Sequence, residues 1–198
     1  MNRDNAVDLA KKIKAVVFDS DGCFFTNHVI EGIEIGGEPF KVKIRTYYDG
    51  QGVSLLRAIG IRVAFVTNEK DASARALTGV VEKFNNLPSS SKTPGDGGWE
   101  QVRLFTGMGG SRKVEAAEIF LKEAGLTFAD CAAMGDDLVD VPLLQKVALS
   151  AAPAQAEQVI KDMVHFVAKR NGGDGAVRDF ANFILEARGI DPLTLPPQ

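Results

Sequence analysis

Residues Ala15-Val16-Val17-Phe18-Asp19-Ser20-Asp21-Gly22 run from four apolar side chains straight into two carboxylates and a glycine. A continuous apolar run closed by a turn residue reads as a strand buried on both faces, the habit of parallel sheets. In open parallel sheets ligands bind beyond the carboxyl ends of the strands, where Asp19 and Asp21 fall. Side chains two apart on an extended chain share a face, so both carboxylates can enter one pocket. Like charges that close call for a cation or a shared proton. The plainer alternative is a strand that ends in a solvated Ser-Asp-Gly turn.

The pattern recurs along the chain. Ile61 to Val66 is a second apolar run and ends in Thr67-Asn68-Glu69. Cys131 to Met134 is a third and ends in Gly135-Asp136-Asp137-Leu138-Val139-Asp140. Shorter strands are expected at 102–105, 147–150 and 165–168. Helices are expected at 4–12, from Asp49 as N-cap to a stop at Gly60, at 71–84, after Ser111, from Pro142 to Lys146, at 154–161 and at 176–188. Strands alternating with helices mean a parallel sheet with right-handed crossovers. The expectation is therefore α/β, a parallel sheet flanked by helices. A chain of 198 residues suits one such domain, spanning 1–198.

Four segments stand apart from that rhythm. Residues 29–46 contain the strict alternation Phe40-Lys41-Val42-Lys43-Ile44-Arg45 and read as a projecting β-hairpin. A hairpin alone is marginal in water, so it needs either its own domain or a second subunit; the reading favours the subunit. Residues 85–101, rich in Ser, Gly and Pro, read as a long polar insertion and are expected to be mobile. Gly172-Gly173-Asp174-Gly175 either approaches the strand ends or caps the last helix. Residues 190–198 form a tail.

Charge and composition narrow the function. Lys and Arg number 23 against 26 Asp and Glu, a net charge of −3, so no basic excess points to nucleic acid. No apolar run approaches a membrane span, and Met1 to Lys14 lacks a signal-peptide core. Cys23 and Cys131 lack metal-ligand spacing, which suits a reduced, cytoplasmic setting. His28 and His165 are assigned no role.

Strand ends and helix starts thus offer Asp19 with Asp21, Thr67, Lys113, and Asp136 with Asp137 and Asp140. Lys113 lies in a first helical turn, where a cation opposes the helix dipole unless an anion is near. The set lacks histidine and cysteine and favours a hard, oxygen-liganded ion such as Mg²⁺. It suits phosphoryl transfer: one carboxylate attacks phosphorus, cations neutralise the phosphoryl oxygens, and a second carboxylate moves the proton.

On these stretches the chain resembles the haloacid dehalogenase superfamily, and within it the capless 3-deoxy-D-manno-octulosonate 8-phosphate (KDO 8-phosphate) phosphatases. The carrying segments are Phe18 to Gly22, Asp49-Gly50-Gln51-Gly52, Gly60 to Ala64, Thr67, Lys113, Gly135 to Asp140 and Gly172 to Arg178. The resemblance implies a Rossmann-like core without a cap and a Mg²⁺-dependent phosphatase of a sugar acid phosphate, acting through an aspartyl-phosphate. It implies Asp19 as nucleophile and Asp21 as general acid/base, with Asp19, Asp21 (through its carbonyl) and Asp136 on the metal. Thr67 and Lys113 would hold the phosphoryl group, and Asp137 and Asp140 would support the ligands. It also implies a homotetramer built through hairpin 29–46.

Thr67-Asn68-Glu69-Lys70 departs from the Thr-Gly-Arg of the octulosonate enzymes. Glu69 resembles relatives acting on nonulosonate 9-phosphates, which makes Asn68 and Glu69 candidate substrate contacts. Leu77 and Val80, however, stand where those relatives carry charge. Two further alternatives are a non-catalytic oligomerisation module, which the intact Asp19, Asp21, Lys113 and Asp136 oppose, and a phospho-receiver domain. The receiver would need its phosphoacceptor on a later strand.

Overall fold

The computed structural model describes residues 5–196. In chain order, helix α1 (Ala6–Lys12) leads into strand β1 (Ala15–Asp19), followed by β2 (Val29–Ile33), β3 (Pro39–Lys43) and α2 (Tyr47–Ala58). Next come β4 (Arg62–Val66), α3 (Arg75–Asn85), β5 (Arg103–Phe105), α4 (Arg112–Glu123) and β6 (Cys131–Met134). The last elements are α5 (Val141–Leu144), β7 (Leu149–Ala152), α6 (Gln158–Met163), β8 (Phe166–Val167) and α7 (Ala176–Ala187).

Six strands form one parallel sheet in the order β5-β4-β1-β6-β7-β8. The apolar run of β1 is buried at every position because helices cover both faces. Val16 and Phe18 point into a core shared with α1, α2, α3 and α7. Ala15 and Val17 point into a second core shared with α4, α5 and α6. Burying each large apolar side chain of this strand contributes about 1.5–3 kcal/mol. The chain leaves β1 for β4 and β5 on one side, then places β6, β7 and β8 on the other. That reversal opens a crevice at the carboxyl ends beside β1.

Several boundaries differ from the sequence reading. The strand expected at 147–150 runs Leu149–Ala152, because Val147 closes the turn after α5 with its N–H on Leu143 O at 3.2 Å. The helix expected at 154–161 begins only at Gln158, since Pro153 to Ala156 forms a turn of its own. Asp49 is not an N-cap. Helix α2 starts earlier, with Thr46 in the cap position, and Asp49 is fully buried. Its carboxylate accepts the Gly175 and Val177 N–H groups at 2.9 and 3.0 Å and the Thr46 hydroxyl at 3.2 Å, joining the starts of α2 and α7. The helix expected from residue 4 begins at Ala6; residues 1–4 and the end of the tail, 197–198, lie outside the described residues.

Among the described residues, strands β2 and β3 pair only with each other, antiparallel from Val29↔Lys43 to Ile33↔Pro39. Pairing therefore stops at 43 rather than 46. Beyond it the backbone turns to the core: Ile44 O accepts the Thr26 N–H at 2.9 Å, and Thr46 N–H donates to Gly173 O at 2.8 Å. Ile30, Ile33, Ile35 and Val42 of this hairpin are exposed.

The segment 85–101 contains two 3₁₀ turns, Pro88–Ser90 and Pro94–Asp96. The buried Arg57 pins both of its ends, donating to Phe84 O at 3.2 Å, Ser90 Oγ at 2.6 Å and Glu100 O at 2.8 Å. Trp99 lies 5.4 Å from that guanidinium and is buried with it. Among the described residues no helix is long and apolar enough to cross a membrane.

Candidate active site

Asp19 is the last residue of β1, and its register partner on β4 is Val66, so Thr67 stands one step beyond it. On the other side Phe18 pairs with Met134, which brings Gly135 and then Asp136 to the same level. Parallel register alone thus delivers Asp19, Thr67 and Asp136 to one edge. One ligand atom each from Asp19, Asp136 and Cys23 lies within 4.8 Å of the others.

Lys113, in the first turn of α4, is buried, and its ammonium donates to Asp19 and to Asp140. Asp19 and Asp140 are the anions that its position against the helix dipole requires. Burial opposes its charge, but the Asp19 and Asp140 carboxylates outweigh that and raise its pKa. Asp140, also buried, accepts the backbone N–H groups of Asp136 and Asp137 at 3.0 and 3.3 Å. It therefore shapes the loop that carries Asp136. Asp137 is exposed and caps the turn at Leu138 N–H, 2.6 Å away.

Negative charge is in excess at this edge. Burial first, then the Asp140 charge, push the Asp19 carboxyl well above the usual carboxylate range, against the pull of Lys113. Burial, then Asp140 and Asp137, push Asp136 up to about 7. A bound cation would relieve both.

Cys23 was not expected here. The chain folds back after β1, with the Phe24 and Phe25 N–H groups on Ser20 O at 3.0 and 2.8 Å, and this turn carries the thiol to Asp19 and Asp136. Burial, then the Asp136 and Asp19 charges, raise the Cys23 pKa well above its ordinary value. Asp19 and Asp136 supply carboxylate oxygens here, the donor type that a hard divalent cation takes.

Asp19 and Asp21 do not share a partner, because the strand ends at Asp19 and the chain turns at Ser20. The Asp21 carboxylate instead accepts from Lys43 of β3 at 2.6 Å. Lys43 also bonds Glu69, which Lys41 holds at 2.5 Å. Glu69 N–H donates to Thr67 Oγ1 at 3.1 Å, and Thr67 is buried. Asn68 is exposed and packs on Gly109, where a Cβ would come within 2.4 Å of its Oδ1. Between the hairpin and α3 lies a groove of about 560 Å³ whose lining includes Lys41, Lys43, Ser73 and Arg75.

Sequence reasoning passed over Lys41 and Lys43. The signal was present: strand alternation puts both on one face of β3, opposite to Val42. Gln155 left no such signal. Its amide donates to Gly22 O at 2.6 Å, and its carbonyl accepts Gly172 N–H at 2.7 Å. This fastens the glycine loop to the Asp21–Gly22 turn so closely that a Cβ on Gly172 would overlap Gly22 O at 1.7 Å. The loop thus approaches the strand ends, and Gly175 takes the N-cap position of α7 as well.

The haloacid dehalogenase-like hydrolase family model matches residues 70–180. The chain is 26% identical over 183 residues to the 3-deoxy-D-manno-octulosonate 8-phosphate phosphatase of Salmonella typhi, covering 91% of this chain and 83% of that protein. The crystal structure of the Yersinia pestis 3-deoxy-D-manno-octulosonate 8-phosphate phosphatase aligns with a TM-score of 0.73 at 26% identity, covering 94% of this chain and 88% of that one. The Moraxella catarrhalis phosphatase of the same name, solved with magnesium, phosphate and KDO, shares the fold with a TM-score of 0.75 at 21% identity, covering 95% and 94%.

Proposed function

Because this chain belongs to the haloacid dehalogenase-like hydrolases, we propose that it is a magnesium-dependent phosphomonoesterase of a 2-keto-3-deoxy sugar acid phosphate, with KDO 8-phosphate as substrate. The observation that carries this is the meeting of Asp19, Asp136 and Lys113, which lie far apart in sequence, at one sheet edge. The names and coverage of the relatives support the substrate class. So does the groove between the hairpin and α3, where Arg75 offers a cation to a sugar acid.

Asp19, Asp136 and the backbone carbonyl of Asp21 would hold magnesium, which when bound neutralises charge on the phosphoryl oxygens. An Asp19 carboxylate oxygen attacks phosphorus, forming an O–P bond as the ester P–O bond breaks. Asp21, as general acid, gives a proton to the leaving alkoxide. Water then attacks the aspartyl-phosphate, passes a proton to the Asp21 carboxylate, and inorganic phosphate departs. Thr67 and Lys113 orient the phosphoryl group, and Lys113 offsets its charge. Asp140 and Asp137 support the loop of Asp136, and Asn68 and Glu69 border the sugar. A single domain performs this in the cytoplasm, as a homotetramer joined through the exposed apolar side chains of hairpin 29–46.

The test is phosphate release from a panel of KDO 8-phosphate, nonulosonate 9-phosphates and hexose phosphates, with magnesium and with chelator. KDO 8-phosphate should be turned over fastest, chelator should abolish turnover, and Asp19→Asn should be inactive. Dominant turnover of a hexose phosphate would refute the substrate class, and full activity of Asp19→Asn would refute the mechanism. Light scattering on the purified chain checks the tetramer.

A further inference from the structure

Lys43 closes β3 with its side chain only 3% exposed and its ammonium lodged between two carboxylates, Asp21 at 2.6 Å and Glu69. An ammonium hidden that far from water needs charge-assisted hydrogen bonds to offset its desolvation. It also lies 5.5 Å from the Phe25 ring centroid, on the turn that follows Asp21.

Neither end of this bridge is loose. The backbone beside Lys43 is anchored where Ile44 O accepts the Thr26 N–H at 2.9 Å. Glu69 is fixed by Lys41 at 2.5 Å and by its own N–H on Thr67 Oγ1 at 3.1 Å. A line of contacts therefore runs from Thr67 through Glu69 and Lys43 to Asp21. The Asp21 carboxylate, by contrast, is 41% exposed. Without a fixed donor a side chain so open to water would spread over several rotamers.

We propose that Lys43, clamped by Glu69, is a positioning residue that fixes the direction in which the Asp21 carboxyl faces the leaving oxygen. The inference rests on the phosphatase reading above and adds a residue from the hairpin to it. A proton donor acts only within hydrogen-bond reach of the departing atom, and a displacement of about 1 Å can cost about 100-fold in rate. The same hairpin that would join subunits thereby sets the proton donor.

Steady-state kinetics on two esters test this: the best sugar acid phosphate of the panel, whose alkoxide needs a proton to leave, and p-nitrophenyl phosphate, whose phenolate leaves without one. Lys43→Met should lower kcat on the sugar ester about 100-fold, the scale of lost general acid catalysis, and on p-nitrophenyl phosphate by less than about 3-fold. KM should stay unchanged for both. Lys43→Arg should recover most of the rate. The retained p-nitrophenyl phosphate activity reports that the variant is folded. Equal losses on both esters, or no loss on the sugar ester, would overturn the role of Lys43 while leaving the phosphatase reading standing. A wild-type chain inactive on both esters would overturn that reading and this inference together.

Discussion

Asp140 places one carboxylate oxygen 3.0 Å from the backbone nitrogen of Asp136 and the other 2.5 Å from the ammonium of Lys113. One buried acid thus locates a candidate metal ligand and a candidate phosphoryl contact at once. Groups that orient metal ligands typically change affinity 10- to 100-fold when removed. Asp140→Ala is expected to raise the magnesium concentration for half-maximal activity by about that factor, measured by titrating the ion against phosphate release. An unchanged magnesium requirement would argue that Asp136 holds its place without this support.

Gly22 has φ +84° and lies against Asp136 so closely that a Cβ would stand 1.9 Å from Oδ2. Gly22→Ala must therefore move the carboxylate as well as strain the backbone. The expected result is a loss of about 100-fold in kcat/KM, with a stability loss of about 1–3 kcal/mol from the left-handed conformation. Kinetics and urea denaturation read the two effects separately.

Asp49 takes no part in the proposed chemistry yet is buried with hydrogen bonds from Gly175 and Val177. Burial raises its pKa and those bonds oppose the rise. Asp49→Ala leaves two buried N–H groups unpaired and is expected to cost about 2–4 kcal/mol in stability. Urea unfolding measures this, and a variant as stable as the parent would contradict the clamp between α2 and α7.

Burial pushes the Glu69 carboxyl upward, but the hydrogen bonds and charges of Lys41 and Lys43 outweigh it and hold the pKa below the 4.5 of a free glutamate. An acid depressed in the folded state adds stability when ionised, fully above its unfolded value, and loses it as pH falls through the folded one. Amide exchange in 29–43, corrected for its intrinsic pH dependence, should be steady from about pH 8 to about pH 5.5 and quicken below about pH 4.5. Glu69→Gln should show fast hairpin exchange across the whole range. A parent hairpin equally protected at the lowest pH would rule out a role for the Glu69 ion pairs in holding it.

The sheet was legible because its code is local. An apolar run followed by a turn residue names a buried parallel strand whatever surrounds it, and β1, β4 and β6 were placed to within a residue or two. Parallel register then brings Asp19, Thr67 and Asp136 to one edge, so the convergence of those three follows from strand ends that can be read off the chain. The start of α2 was misplaced because the buried Asp49 looks locally like a cap. Its backbone partners, the Gly175 and Val177 N–H groups, lie 126 and 128 residues away.

By itself, then, the sequence determined the α/β sheet, its buried strands and the acids at their ends, since each depends on neighbours within a few positions. Only the tertiary structure decided that Cys23 lies beside Asp19, that Gln155 fastens Gly172 to Gly22, and that Lys43 joins Asp21 to Glu69. Those contacts are set by how a turn, a loop and a hairpin fold back onto the sheet edge. Their energies arise from desolvated charges and shared hydrogen bonds, which exist only once distant segments have excluded water together.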